Sequence, residues 1–73
     1  MRKPGIGGAI RAARETRGMT LDDLSGSTRI PKSTLSAYEN EAESIPKKPR
    51  LRALAKALGL RPLDLLRAAG LEG

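Results

Sequence analysis

Residues Thr20 to Asn40 read TLDDLSGSTRIPKSTLSAYEN, and this stretch decides the fold because it spells two short helices separated by a tight turn. Thr20 is a good N-cap, Asp23 three residues on completes a capping-box-like pair, and Leu24 gives the first of the two helices its buried face. Pro31 then opens the second helix at a position that suits N1, where a missing N–H is no loss. Leu35 and Tyr38 fall three apart on one face of that helix, while Lys32, Ser33, Ser36 and Ala37 point elsewhere. The reading predicts a helix over 31–40 whose small polar side chains are presented outward.

Working outward, the periodicity predicts five helices and no strand. The glycine-rich start from Gly5 to Gly8 is expected to be mobile or to act as an arm, and the first helix then runs to about Arg17, with Gly18 as its stop. Ile10, Ala13 and the following Met19 face the core. The second helix spans about Leu21 to Ser27, and Glu41 to Lys48 form a loop ended by Pro46 and Pro49. A fourth helix from Pro49 to Leu58 sets Leu51, Leu54, Ala55 and Leu58 at helical spacing before Gly59. Pro62 opens a fifth, which carries Leu63, Leu65 and Leu66 and ends at Gly70. The expected class is all-α, a compact five-helix bundle with a flexible arm over 1–5, one domain over 6–68 and a short tail over 69–73.

Composition narrows the function. A chain of 73 residues is one small domain near the size at which a core holds without disulfides or metals. Cys and His are both absent, which removes a disulfide framework, a thiolate site and a zinc finger, so neither metal nor cofactor is expected. Met1-Arg2-Lys3-Pro4 has charge but no apolar stretch behind it, so no signal peptide is expected, and no segment approaches a membrane span. A net charge of +6 and a pI near 10.6 favour a polyanionic partner. From Ser44 to Leu58 the chain carries Lys47, Lys48, Arg50, Arg52 and Lys56 without an acid, whereas Glu39, Glu41 and Glu43 cluster just before. Such a run is commonly a solvated face. Beside a two-helix unit with an outward polar row, it also supplies the phosphate contacts that nucleic-acid binding needs.

The order Ile10-Arg11-x-x-Arg14, then Thr20 to Ser25, then Ile30-Pro31-Lys32-Ser33-Thr34-Leu35-Ser36-Ala37-Tyr38-Glu39-Asn40, then Leu54 to Leu60, resembles the Cro/CI phage-repressor type (XRE-like) of helix-turn-helix DNA-binding domain. The resemblance covers residues 6 to 66. It implies a lambda-repressor-like fold and a sequence-specific regulator of double-stranded DNA, a repressor acting as a homodimer on DNA in the cytoplasm of a bacterial or phage-infected cell.

Geometry and resemblance agree on the reading face. Only side chains near the N-terminal end and outer face of a helix in the major groove touch base edges, and by spacing these are Lys32, Ser33, Ser36 and Ala37. Thr20, Lys47, Lys48 and Arg50, near the starts of the second and fourth helices, are expected to grip phosphates. The resemblance further implies an ion pair between Arg14 and Glu39 that ties the reading helix to the scaffold. Tyr38, the sole aromatic residue, reads first as core and second as a DNA contact. Leu63, Leu66 and Leu71 offer a dimer contact, because so short a tail has little to bury them against.

Three features depart from the family pattern. Leu21 stands where glutamine is usual and cannot bond a phosphate or buttress a reading side chain. Arg29 stands where the turn usually has glycine, so either the turn differs or Arg29 bears strain of about 1 kcal/mol. Glu41 and Glu43 put negative charge in a loop that lies near the DNA backbone in the family. The first and third of these favour the alternative reading, a protein-interaction module such as an antitoxin or adaptor that keeps the fold. RNA is disfavoured by the lack of aromatic platforms. Catalysis is disfavoured too, since Asp22, Asp23 and Asp64 read as helix N-terminal charges.

Overall fold

One large aliphatic side chain from each of five helices is fully buried: Ile10, Leu24, Leu35, Leu54 and Leu65. The computed structural model describes residues 5–40 and 46–70. Residues 1–4 of the expected arm, the acidic Glu41 and Glu43, and Leu71 lie outside the described residues. The helices are α1 (Gly5–Thr16), α2 (Leu21–Thr28), α3 (Lys32–Glu39), α4 (Lys48–Ala57) and α5 (Pro62–Ala68), with no strand among the described residues. Their principal contacts close a ring: α3 packs on α1, α1 on α5, α5 on α4, α4 on α2, and α2 back on α3. Ile6, Ala9, Ile30, Tyr38, Leu51, Ala55, Leu58 and Ala69 complete the core, with Ala13, Met19 and Leu21 partly buried against it.

The glycine-rich run is helical, which corrects the expectation of a mobile segment from Gly5 to Gly8. Gly7 and Gly8 inside a helix cost about 0.5–1 kcal/mol each. Burial of Ile6 against the core returns about 1.5–3 kcal/mol and outweighs them. The helix stops follow the glycines. After α1, Gly18 takes φ +68° and donates to Glu15 O at 2.9 Å, and Met19 N–H reaches back to Arg14 O at 3.0 Å. After α4, Gly59 at φ +71° and Leu60, which donates to Ala55 O at 2.8 Å, repeat the arrangement.

Two helix starts shift by one residue. Pro31 is the N-cap of α3 rather than its first residue: its ψ of 141° is extended, and its carbonyl accepts the first helical bond from Leu35 N–H at 3.0 Å. Lys47 is likewise the N-cap of α4, which begins at Lys48 rather than Pro49. Both prolines still sit where no helical N–H is required. The shift makes Lys32 the first residue of α3.

Candidate nucleic-acid interface

The turn between α2 and α3 fixes how α3 is presented. At the start of α2, Thr20 Oγ1 accepts from Asp23 N–H at 3.0 Å, and Asp23 Oδ2 accepts from Thr20 N–H at 2.9 Å, the reciprocal pair the sequence predicts. The Thr20 backbone N–H, and after it the Thr20 hydroxyl acting on the carboxylate, hold the Asp23 carboxyl below the usual carboxylate range. At its end, Arg29 is left-handed, with φ 61° and ψ 22°, and is the one non-glycine residue with positive φ among the described residues. Arg29 therefore bears the strain. A local network holds it there: Ser25 Oγ donates to Ile30 O at 2.6 Å, Thr28 Oγ1 donates to Leu24 O at 2.8 Å, and Ile30 N–H donates to Thr28 Oγ1 at 3.2 Å.

Behind α3 lies an ionic joint to α1. Arg14 donates from Nε to Glu39 Oε2 at 2.8 Å and from Nη2 to Oε1 at 3.0 Å, a two-pronged grip, while its Nη1 donates to Met19 O at 2.9 Å. Arg11 adds a bond from Nε to Glu39 Oε1 at 3.2 Å and another from Nη2 to Asn40 Oδ1 at 3.2 Å. The Glu39 side chain is only 2% exposed and that of Arg14 14%. Burial alone would push the Glu39 carboxyl up, but the bonds and charges of Arg14 and Arg11 outweigh it, so the group ends below its ordinary value. Arg11 and Asn40 were not anticipated as members of this joint. The signal was present, since Arg11 and Arg14 stand three apart and share a face of α1.

On the outer side, Lys32 and Ser33 are exposed and Ser36 and Ala37 are half-buried. Asn40 Nδ2 donates to Ser36 Oγ at 3.3 Å. Lys32 Nζ lies 3.4 Å from Asp22 Oδ1, an ion pair across the turn that the sequence pattern did not suggest. Leu21, where a polar buttress was missed, packs against the core instead. Thr20, Lys47, Lys48 and Arg50 are all exposed. Arg50 Nη1 donates to Tyr38 Oη at 3.1 Å. Tyr38 itself is buried, so its ring belongs to the core and its hydroxyl joins α3 to α4.

The leucines named for a dimer contact divide. Leu63 is 47% exposed, and Leu66 packs partly against the core. Among the described residues no group of three or more His, Cys, Asp or Glu could hold a metal ion. No helix there is long and apolar enough to cross a membrane.

Residues 7–71 match the helix-turn-helix domain family. The chain belongs to that family. Among solved structures, this helix-turn-helix domain is similar to the clp gene regulator ClgR from Corynebacterium glutamicum, at 28% identity and a TM-score of 0.85 over 93% of this chain and 71% of that one. It is also similar to SinR, described as the master regulator for biofilm formation and solved in complex with DNA, at 28% identity and a TM-score of 0.79 over 84% of this chain and 97% of that one. A SinR/SinI protein complex matches at the same 28% identity and TM-score of 0.79, over 84% of this chain and 59% of that one. No curated protein sequence matches the chain. The helix-turn-helix reading of residues 20–40 and the all-α, five-helix class are borne out by these likenesses and by the fold itself.

Proposed function

We propose that this helix-turn-helix domain is a DNA-binding transcriptional regulator, a repressor that reads the major groove with α3. The observation that carries the reading is the two-sided character of α3. Its inner face is clamped through Leu35, Tyr38 and Glu39, while its first turn holds Lys32 and Ser33 out in solvent. Lys32, Ser33, Ser36 and Ala37 are the base-contacting residues of this reading, with Lys32 donating to guanine O6 or N7 and Ala37 meeting a thymine methyl. Thr20, Lys47, Lys48 and Arg50 hold phosphates on either side of the groove. DNA in the SinR structure supports the choice of partner. A cytoplasmic location, in a bacterial or phage-infected cell, follows from that partner, and no catalytic role is proposed.

The exposed Leu63 supports a homodimer on DNA, with Leu66 and Leu71 as further contacts. The SinR/SinI complex favours a second reading in which the same domain also takes a protein partner. Selection of bound duplexes from a random pool tests the main one. Enrichment of a near-palindrome with half-sites about one helical turn apart, roughly 34 Å, is expected for a dimeric reader. Absence of any enriched motif would overturn sequence-specific binding, and a single asymmetric half-site would overturn the dimer.

A further inference from the structure

Asp22 is an acid in an expensive place. It occupies the first turn of α2, next to Thr20, on the side of the domain that faces phosphates if α3 enters the groove. The capping hydrogen bonds of α2 do not involve it, because Thr20 and Asp23 supply them between them; what the helix end gains from Asp22 is only its charge. The Asp22 side chain is 77% exposed, and its polar partner among the described residues is Lys32, whose side chain is 58% exposed. An exposed pair of this kind contributes little to stability. Its consequence is for the field around α3.

We propose that Asp22 sets the sequence discrimination of the domain by screening the charge of Lys32. This rests on the DNA-binding reading above and deepens it. Non-specific attraction to a duplex grows with each cation that can neutralise a phosphate, and a carboxylate 3.4 Å from Lys32 Nζ cancels most of that cation's reach. A contact with a guanine edge is short and directional, and it needs a donor rather than a net charge. The ammonium has three donors on a flexible stem, so one can stay with the Asp22 carboxylate while another turns to O6 or N7. Asp22 therefore takes more from binding to arbitrary DNA than from binding to the right site, and it acts as a positioning residue through Lys32.

Binding of the parent, Asp22→Asn, Lys32→Ala and the double variant is measured on the selected duplex and on a scrambled duplex across 50–200 mM salt, with thermal melts to check that each is folded. Asp22→Asn is expected to tighten the scrambled duplex about threefold at low salt and to steepen its salt slope by about one unit, as one more cation becomes available. Binding to the selected duplex should stay essentially unchanged, so discrimination falls about threefold. In the Lys32→Ala background the same substitution should move both duplexes by one common factor, since no ammonium remains to be screened. Equal gains on both duplexes in the parent background would overturn the proposal and leave simple repulsion of phosphate. An unchanged threefold loss of discrimination in the Lys32→Ala background would overturn it as well, as would weaker binding to the scrambled duplex. A parent domain that binds neither duplex would refute the DNA-binding reading itself, and the inference with it, whereas a discriminating parent with equal gains refutes the inference alone.

Discussion

Replacing Arg14 with alanine should cost the domain a large part of its stability, and the amount follows from what it leaves behind. Glu39 would keep one bond, from Arg11 at 3.2 Å, in a site where its side chain is 2% exposed. Stranding one member of a buried pair costs about 3–5 kcal/mol, and the remaining Arg11 contact argues for the low end, about 3 kcal/mol. A domain of 73 residues has roughly 4–11 kcal/mol in total. At about 4–8 °C per kcal/mol, the melting temperature should fall by roughly 12–24 °C. Urea titrations and thermal melts of Arg14→Ala, Glu39→Ala and the double variant form the assay. The double variant should lose less than the two single losses added together, with a coupling above about 1.5 kcal/mol, because removing both partners strands neither. Losses that add to within about 0.5 kcal/mol, or single variants that melt within about 0.5 kcal/mol of the parent as surface changes do, would show that the two side chains are not energetically joined.

The same joint sets a pH dependence. The folded Glu39 carboxyl lies below its unfolded value of about 4.3, so its contribution is whole above that value and is lost as pH falls through the folded one. Glu39→Gln should therefore lose less stability than the parent on going from pH 6 to pH 3, and parallel curves would sink the assignment. Arg29→Gly should raise stability by roughly 0.5–1 kcal/mol, since the left-handed backbone costs about 1–2 kcal/mol and glycine's extra unfolded freedom returns part of it; an unchanged or lower urea midpoint would mean that the turn is not strained. Lys32→Ala should relax preference at one base pair per half-site at a cost of about 1–3 kcal/mol, whereas Lys47→Ala or Lys48→Ala should weaken all duplexes alike and flatten the salt slope by about one unit. Equal losses on every duplex for Lys32→Ala would remove it from the readers.

What could be read in the chain was whatever a few consecutive residues decide. The capping pair of Thr20 and Asp23, the glycine stops and the leucine spacing of α4 each depend on neighbours within about one helical turn, and each is found where the pattern puts it. Gly5 to Gly8 misled because their local cost is visible in sequence, while the compensating burial of Ile6 depends on α5 and α3 lying over α1. Arg29 left two outcomes open, strain or a different turn, and the network of Ser25, Thr28 and Ile30 decides for strain. The Lys32 and Asp22 pair and the Tyr38 and Arg50 bond escaped for a further reason. Both join different helices, and no spacing rule within one helix reports which side chains the packing of two helices brings together.

The closed ring of helix contacts, with one large, fully buried aliphatic from every helix, bears on how the domain meets its partner. No helix hangs at the end of a stack, so releasing any one of them breaks two interfaces and empties a place at the centre. Backbone amides around Ile10, Leu24, Leu35, Leu54 and Leu65 should then exchange with solvent at one shared free energy, that of global unfolding. Under the function proposed above, an α3 that cannot detach alone arrives at a duplex already shaped. Little ordering entropy is left to be lost at that encounter, and docking is limited by diffusion and orientation rather than by folding.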